Sequence, residues 1–322
     1  MRLVSFRLTD QASNPVAKMQ RTSLGDERLF GIRTGVLIDS SQDRLEFGRE
    51  VTWPSDGIEV VDLTTTPFEL SNNWSELLED RDSVFKTIRH LVSKDCVRYR
   101  PEDVELCSPI PWPSKFYGIG LNYLDHIEEM GVEKPAYQVW FTKARTCING
   151  PYDPIVIPSV SSQVDYEGEL GLVIGKRCKD VLASEALGAL AGYVVVNDVS
   201  VRDWQKRTSQ FTIGKGFDSH GPVGPWIVTP DEVPDPQALE ITTRVNSEVR
   251  QSSSTSKMVF TCVEMIVELS QAMTLEPGDI IATGTPAGVG ASFQPAKWLV
   301  DGDKVEIEIT GVGKIANPVR KK

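Results

Sequence analysis

A chain of 322 residues, 40% apolar and 25% charged, has the composition of an ordinary folded protein and the length for one large domain or two. Its net charge of −11 argues against nucleic acid and anionic membrane as partners, although local Lys and Arg could still receive an acidic small molecule. Five cysteines, odd in number and without a Cys-x-x-Cys pair, point to reduced thiols. No apolar run reaches the ~20 residues of a membrane span, so cytoplasm is the expected compartment.

The opening Met1–Leu8 alternates like a strand and is too short for a signal-peptide core. Strand patterns such as Gly31–Ile38 recur between polar turns as far as about residue 70. Trp74, Leu77 and Leu78, then Val84, Phe85, Ile88, Leu91 and Val92, follow helical spacing and predict one or two helices over about 74–94. In Ser108-Pro109-Ile110-Pro111-Trp112-Pro113, prolines on alternate positions forbid helix and predict an extended connector. A small N-terminal unit, 1–110, and a larger unit, 111–322, are expected on either side. Within the larger unit, Val259, Phe260, Val263, Ile266, Val267 and Met273 predict a helix over about 261–273, and Glu276-Pro277-Gly278-Asp279 a turn. Val305, Ile307 and Ile309, alternating with Glu306 and Glu308, predict a half-exposed strand. Many short strands with scarce crossover helices favour a β-rich α+β architecture over a doubly wound sheet.

Three carboxylates stand in unusually apolar surroundings. Glu167 and Glu169 lie within Val164–Ile174, and Asp198 closes Gly192–Asp198; both stretches read as short buried strands. Residues two apart on a strand share a face, and burying like charges there is costly unless a partner neutralises them. Neither stretch carries enough Lys or Arg for that. An all-oxygen donor set suits Mg²⁺ or Mn²⁺, with about three coordination positions left for water and substrate. His126, one of three histidines, follows Asn122, which is expected to cap a short helix with His126 and Glu129 on one face. A carboxylate so placed holds the imidazole tautomer. His90 and His220 read as exposed or structural. Arg202 and Gln205 lie just past Asp198. Lys215 sits between two glycines, where it could approach a ligand closely or simply be a solvated lysine. The Gly-rich stretch 281–290 lacks the Gly-Lys-Ser/Thr ending of a phosphate loop, and Gly118-x-Gly120 has no third glycine. No Gly-x-Ser-x-Gly elbow occurs.

In this order the motifs resemble the fumarylacetoacetate hydrolase superfamily over about 112–320: Gly-x-Asn-Tyr-x-x-His-x-x-Glu at 120–129, Asp-Tyr-Glu-x-Glu-Leu at 165–170, Asn-Asp-Val-Ser-x-Arg-Asp at 197–203, Gly-Lys-x-Phe-Asp at 214–218, Val245-Asn246, and Thr-Gly-Thr-Pro-x-Gly-Val-Gly at 283–290. The N-terminal unit and the Pro-Ala-Lys-Trp-Leu insert at 295–299 look most like the longer members, among them oxaloacetate tautomerases and ring-cleavage hydrolases and isomerases. The resemblance implies a mixed β-roll catalytic domain and a homodimer. It implies Mg²⁺ or Mn²⁺ on Glu167, Glu169 and Asp198, and a His126–Glu129 catalytic dyad on a lid. Lys215, Gln205 and Thr285 would line the substrate site, with Lys215 or Arg202 offsetting an anionic substrate. Gly168 replaces a usually bulkier apolar residue, which predicts a looser ligand strand; Lys143-Ala144-Arg145 departs from the family sequence and predicts an altered pocket. The expected substrate is a small keto acid, and the expected reaction is hydrolytic C–C cleavage of an acylpyruvate-type β-diketo acid through a metal-stabilised enolate. Oxaloacetate tautomerisation or decarboxylation, isomerisation of a 2-hydroxy-dienedioate, and a non-catalytic metal-binding scaffold are the alternatives.

Overall fold

Period-two alternation builds the first part of the chain. The computed structural model describes residues 1–9, 31–40, 53–66, 70–91 and 96–322. β1 (Arg2–Leu8), β2 (Arg33–Asp39) and β3 (Ile58–Asp62) pair antiparallel in sequence. β4 (Arg98–Tyr99) adds to β3, and β5 (Val104–Cys107) to β1. The predicted helical stretch is α1 (Trp74–Leu77), one 3₁₀ turn and α2 (Arg81–Leu91); its predicted end at 92–94 lies outside the described residues. Asn73 caps the Ser75 amide, and the Trp74 indole donates to Val4 O at 2.8 Å, which fixes α1 on β1. The proline-rich segment 108–113 holds neither helix nor strand.

Downstream come β6 (Phe116–Gly120), α3 (Leu124–Met130), β7 (Val139–Thr142), β8 (Ile148–Asn149), β9 (Ile155–Ile157), β10 (Val164–Asp165), β11 (Gly168–Ile174), β12 (Leu190–Asn197) and β13 (Ser200–Val201). They are followed by α4 (Arg202–Gln205), α5 (Thr212–Lys215), β14 (Gly221–Val228), β15 (Glu240–Val245), β16 (Glu248–Ser254), α6 (Cys262–Ala272), β17 (Ile280–Ala282), β18 (Lys304–Ile309) and β19 (Gly313–Lys321). The architecture is the expected β-rich α+β.

A twelve-stranded sheet runs β4-β3-β2-β1-β14-β12-β11-β17-β6-β7, with β5 on β1 and β8 on β14. A five-stranded sheet runs β16-β15-β18-β19-β9, and β10 pairs with β13 alone. Most pairs are antiparallel; β17–β6, β14–β8 and β19–β9 are parallel, which makes both large sheets mixed. The large sheet crosses the 110/111 position without interruption, because β1 pairs directly with β14.

β11 and β12 are buried on both faces, which explains their near-continuous apolar sequence. Leu170, Leu172 and Val195 join a core shared with Ile241, Ile307 and Ile315 of the second sheet. Val173, Val194 and Val196 join another, with Trp74 and Ile88 of the N-terminal helices. At α6 the Thr261 hydroxyl and Glu264 form a reciprocal capping box, so the predicted start at 261 is sharp.

One local expectation is corrected. Asn122 does not cap α3, whose N-cap residue is Tyr123 without a side-chain bond. Instead its Nδ2 donates to Thr283 O at 2.7 Å and Phe260 O at 3.1 Å, and its Oδ1 accepts the Phe260 amide at 2.8 Å. The side chain is fully buried and ties three segments that are distant in sequence. Asn122→Ala leaves those backbone groups unsatisfied and should lower the unfolding free energy by about 2–3 kcal/mol. Chemical denaturation followed by fluorescence reads this; a loss below about 0.5 kcal/mol would contradict the assignment.

Candidate metal centre and active site

Glu167, Glu169 and Asp198 converge. Each offers a carboxylate oxygen, those oxygens lie within 4.8 Å of one another, and all three residues are buried. β11 starts at Gly168, so Glu167 stands just outside the strand; the Asn197 Oδ1 and the Asp198 amide hold its backbone on either side. Asp198 follows the last residue of β12, which places it opposite the start of β11.

The cations missing from the local sequence arrive from elsewhere in the chain. Lys215 Nζ contacts Glu167 Oε2 at 2.6 Å and Asp198 Oδ2 at 2.5 Å. Lys143 Nζ contacts Asp198 Oδ1 at 2.6 Å and the Lys215 carbonyl at 2.5 Å. Arg202 spans Glu167 Oε1, at 2.6 Å, and Asp165 Oδ2, at 2.8 Å, and also donates to Gln205 Oε1 at 3.0 Å. Lys215 is therefore a buried ion-pair partner and not a solvated lysine. Lys143, notable in sequence only as part of Lys143-Ala144-Arg145, and Asp165, notable only as the first residue of its motif, belong to the same cluster.

Charge follows from these contacts. Burial alone would raise the Glu167 carboxyl, but Lys215 and Arg202 outweigh it and hold the group well below the usual range. Burial would likewise lower Lys215; Asp198 and Glu167 reverse that and keep it cationic. Glu169 is the exception. Burial, then the charges of Asp198 and Glu167, push its carboxyl well above the ordinary value.

The Gly-rich loop after β17 serves these acids. Gly284 N–H donates to Glu169 Oε2 at 2.7 Å, Gly288 N–H to Glu129 Oε1 at 2.9 Å, and Gly290 N–H to Asp165 Oδ1 at 2.7 Å. A loop of a kind that elsewhere cradles phosphate here cradles the protein's own carboxylates. Glycine is needed at Gly288: with φ +101°, a Cβ there would come within 1.9 Å of Arg250 O. Thr285 lies in the same loop, its hydroxyl donating to Gly168 O at 3.0 Å.

α3 carries the predicted pair. His126 Nδ1 lies 3.1 Å from Glu129 Oε2, and Glu129 is also held by the Ser292 hydroxyl at 2.7 Å. Burial opposes ionisation of Glu129, but hydrogen bonds from His126, Ser292 and Gly288 keep its carboxyl below the usual range. With Glu129 taking Nδ1–H, His126 Nε2 is left as the basic nitrogen. The helix is docked by Asp125, which accepts the Ser253 hydroxyl at 2.6 Å and the Lys257 ammonium at 3.2 Å. His90 is exposed on α2. His220 is buried with Nε2–H on Val156 O at 2.9 Å, and burial pushes its pKa down to about 4.

Gly168 does not loosen the ligand strand. A Cβ there would meet Thr243 Oγ1 at 2.3 Å, and the Gly168 amide donates to Gln251 Oε1 at 3.0 Å. The second sheet packs too closely on this point for any side chain.

A family model described as fumarylacetoacetate (FAA) hydrolase C-terminal matches residues 115–320. The chain belongs to the fumarylacetoacetate hydrolase family. It is 42% identical over 262 residues to "Oxaloacetate tautomerase FAHD2A, mitochondrial" of Bos taurus, covering 81% of this chain and 83% of that protein. In structure it is similar to fumarylacetoacetate hydrolase from psychrophilic Exiguobacterium antarcticum, with TM-score 0.77, 34% identity and all of both chains covered. It is also similar to maleylpyruvate hydrolase from Sphingobium sp. SYK-6 in complex with manganese (II) ion and pyruvate, with TM-score 0.73, 30% identity, and coverage of 100% of this chain and 99% of that one.

The donor set of this family enzyme fits a hard divalent cation. Four buried carboxylates (Asp165, Glu167, Glu169, Asp198) face three buried cations (Lys143, Arg202, Lys215), which leaves one negative charge in excess. Without a metal, protonation of Glu169 removes that excess. A divalent ion would displace the proton and leave the cluster at net +1, a charge suited to an anionic ligand. Proton and ion compete for Glu169, so Mn²⁺ affinity should rise with pH up to the raised pKa of that carboxyl and flatten above it. Below that pKa, calorimetry in buffers of different ionisation heat should show close to one proton released per ion, and Glu169→Gln should show neither release nor measurable binding. Binding without proton release would contradict the charge assignment.

Proposed function

We propose that this enzyme catalyses proton transfer on a small 2-oxo acid bearing a second carbonyl or carboxyl group, with keto–enol tautomerisation of an oxaloacetate-type dicarboxylate as its reaction. The observation that carries the reading is His126, oriented by an ionised Glu129 on a docked helix beside the acid cluster. Its chemical class is supported by a relative 42% identical over most of both chains and named oxaloacetate tautomerase.

Glu167, Glu169 and Asp198 would hold Mg²⁺ or Mn²⁺, which supplies positive charge to chelate a 2-oxo acid and to favour its enolate form. Everything else falls to side chains of this chain. His126 Nε2 removes a proton from the carbon next to the keto group, and Glu129 stabilises the imidazolium that results. His126 then returns the proton to oxygen, or to carbon in the reverse direction, so no net charge leaves the site. Lys215, between Glu167 and Asp198, draws the two carboxylates toward one point, and Lys215 with Arg202 keeps Glu167 ionised. Gln205 and Thr285 are the further residues we assign to the substrate's surroundings.

A second reading, hydrolytic C–C cleavage of an acylpyruvate, uses the same base on water. It is favoured by the likeness to the maleylpyruvate hydrolase solved with manganese and pyruvate. For assembly and compartment we keep a homodimer, supported by family resemblance, and the cytoplasm. Among the described residues no helix is long and apolar enough to cross a membrane, and the bovine relative is named as mitochondrial.

Oxaloacetate and acylpyruvates assayed side by side, with Mn²⁺ and with chelator, separate the two readings. Metal-dependent loss of the enol absorbance without pyruvate release supports tautomerisation; stoichiometric pyruvate and carboxylate from an acylpyruvate supports hydrolysis. His126→Ala should lower turnover by about 10²–10⁴-fold while leaving Mn²⁺ affinity within about threefold, the signature of lost general-base catalysis. Full activity in that variant would remove His126 from the mechanism.

A further inference from the structure

Gln251 is buried at the junction of the two sheets, and both ends of its amide are used. Its Oε1 accepts the Gly168 amide at 3.0 Å, and Gly168 is the residue between Glu167 and Glu169. Its Nε2 donates to Thr285 Oγ1 at 2.8 Å and to Pro286 O at 2.9 Å. The Thr285 hydroxyl passes its own hydrogen to Gly168 O at 3.0 Å, which closes a ring. Both peptide groups flanking the Gly168 α-carbon are thereby fixed, and so is the loop whose Gly284 amide holds Glu169.

The strand that delivers Gln251 is built for this. β16 belongs to the five-stranded sheet, and its pairing with β15 slips between Thr243↔Gln251 and Arg244↔Val249, leaving Arg250 as a bulged residue. A bulge re-aims the side chain beside it. Ser253, two residues on and therefore on the same face, bonds Asp125 of α3. One face of β16 thus touches the start of β11, the Gly-rich loop and α3.

We propose that Gln251 is a positioning residue for the metal centre: it sets the separation of Glu167 and Glu169 from the Thr283–Pro286 loop and touches neither metal nor substrate. The inference rests on the reading of the three acids as a divalent-cation site. Its first readout, however, is taken without metal.

Gln251→Met preserves length and removes both hydrogen-bonding ends. In metal-free protein, amide exchange at Gly168 should quicken at least about tenfold while Leu172 and Val173, farther along β11, keep their protection. Mn²⁺ added alone should then bind the folded variant roughly 10- to 100-fold more weakly than wild type, the usual cost of losing an outer support of metal ligands. Thr285→Val breaks the same ring from its other side, so its effect on Mn²⁺ affinity in the Gln251→Met background should be less than about a third of its effect alone. If Gln251→Met does not fold, Thr285→Val by itself must still weaken Mn²⁺ binding.

Unchanged Gly168 exchange, equal acceleration along all of β11, or strictly additive effects of the two variants would overturn the proposal. Failure of the wild type to bind Mn²⁺ would instead count against the metal reading, since the exchange result does not depend on it.

Discussion

Glu169 sits in a buried cluster where its neighbours' charges nearly cancel, and it is the acid for which no cation remains. Lys143, Lys215 and Arg202 satisfy Asp198, Glu167 and Asp165, with contacts of 2.5–2.8 Å. An uncompensated carboxylate in such a place must take up a proton or a metal ion, because its desolvation is too costly otherwise. The same imbalance sets the chemistry. A cluster one charge short of neutrality would become net positive with a divalent ion, the charge that the proposed keto-acid substrate requires. The buried lysines and arginine therefore act mainly on the acids, holding them converged.

Holding four acids together requires backbone rigidity that a solvent-facing strand lacks. β11 and β12 obtain it from burial on both faces, between the second sheet on one side and the N-terminal helices on the other. The Gly-rich loop completes the frame by aiming three backbone amides at Glu169, Glu129 and Asp165. Backbone donors are fixed by the fold, so they hold these carboxyl groups in place without the rotamer cost of additional long side chains. Through Gly284 and Gly288 this loop also joins the acid cluster to α3, which carries His126 and Glu129. A shift of the loop would disturb both.

The convergence of the three acids and the His126–Glu129 contact are legible in sequence because those residues lie in compact motifs. Glu167, Glu169 and Asp198 announced themselves as acids in apolar strands, and His126 with Glu129 by helical spacing. The strand at Val305–Ile309 and the helix α6 follow from apolar periodicity. What stayed hidden were partners contributed from far along the chain. Lys143 follows β7 with no local sign that it will be buried, and its contact with Asp198 spans 55 residues. Gln251 opens a polar run, Gln251–Thr255, with no apolar alternation to mark its inward face; that face is set by pairing with β15, Gln251 opposite Thr243. Asn122 was misplaced because a capping pattern is local, whereas its three bonds reach 138 and 161 residues away. Gly168 was read as slack for a related reason: the closeness of Thr243 is a property of two sheets, not of one strand.

The most direct examination is to crystallise the protein with Mn²⁺ and collect data at the manganese absorption edge. One strong anomalous peak bonded to Glu167, Glu169 and Asp198, with Lys143, Lys215 and Arg202 still on their carboxylates, is the predicted result. A peak elsewhere, or no peak with Lys215 alone bridging Glu167 and Asp198 at saturating manganese, would contradict the account.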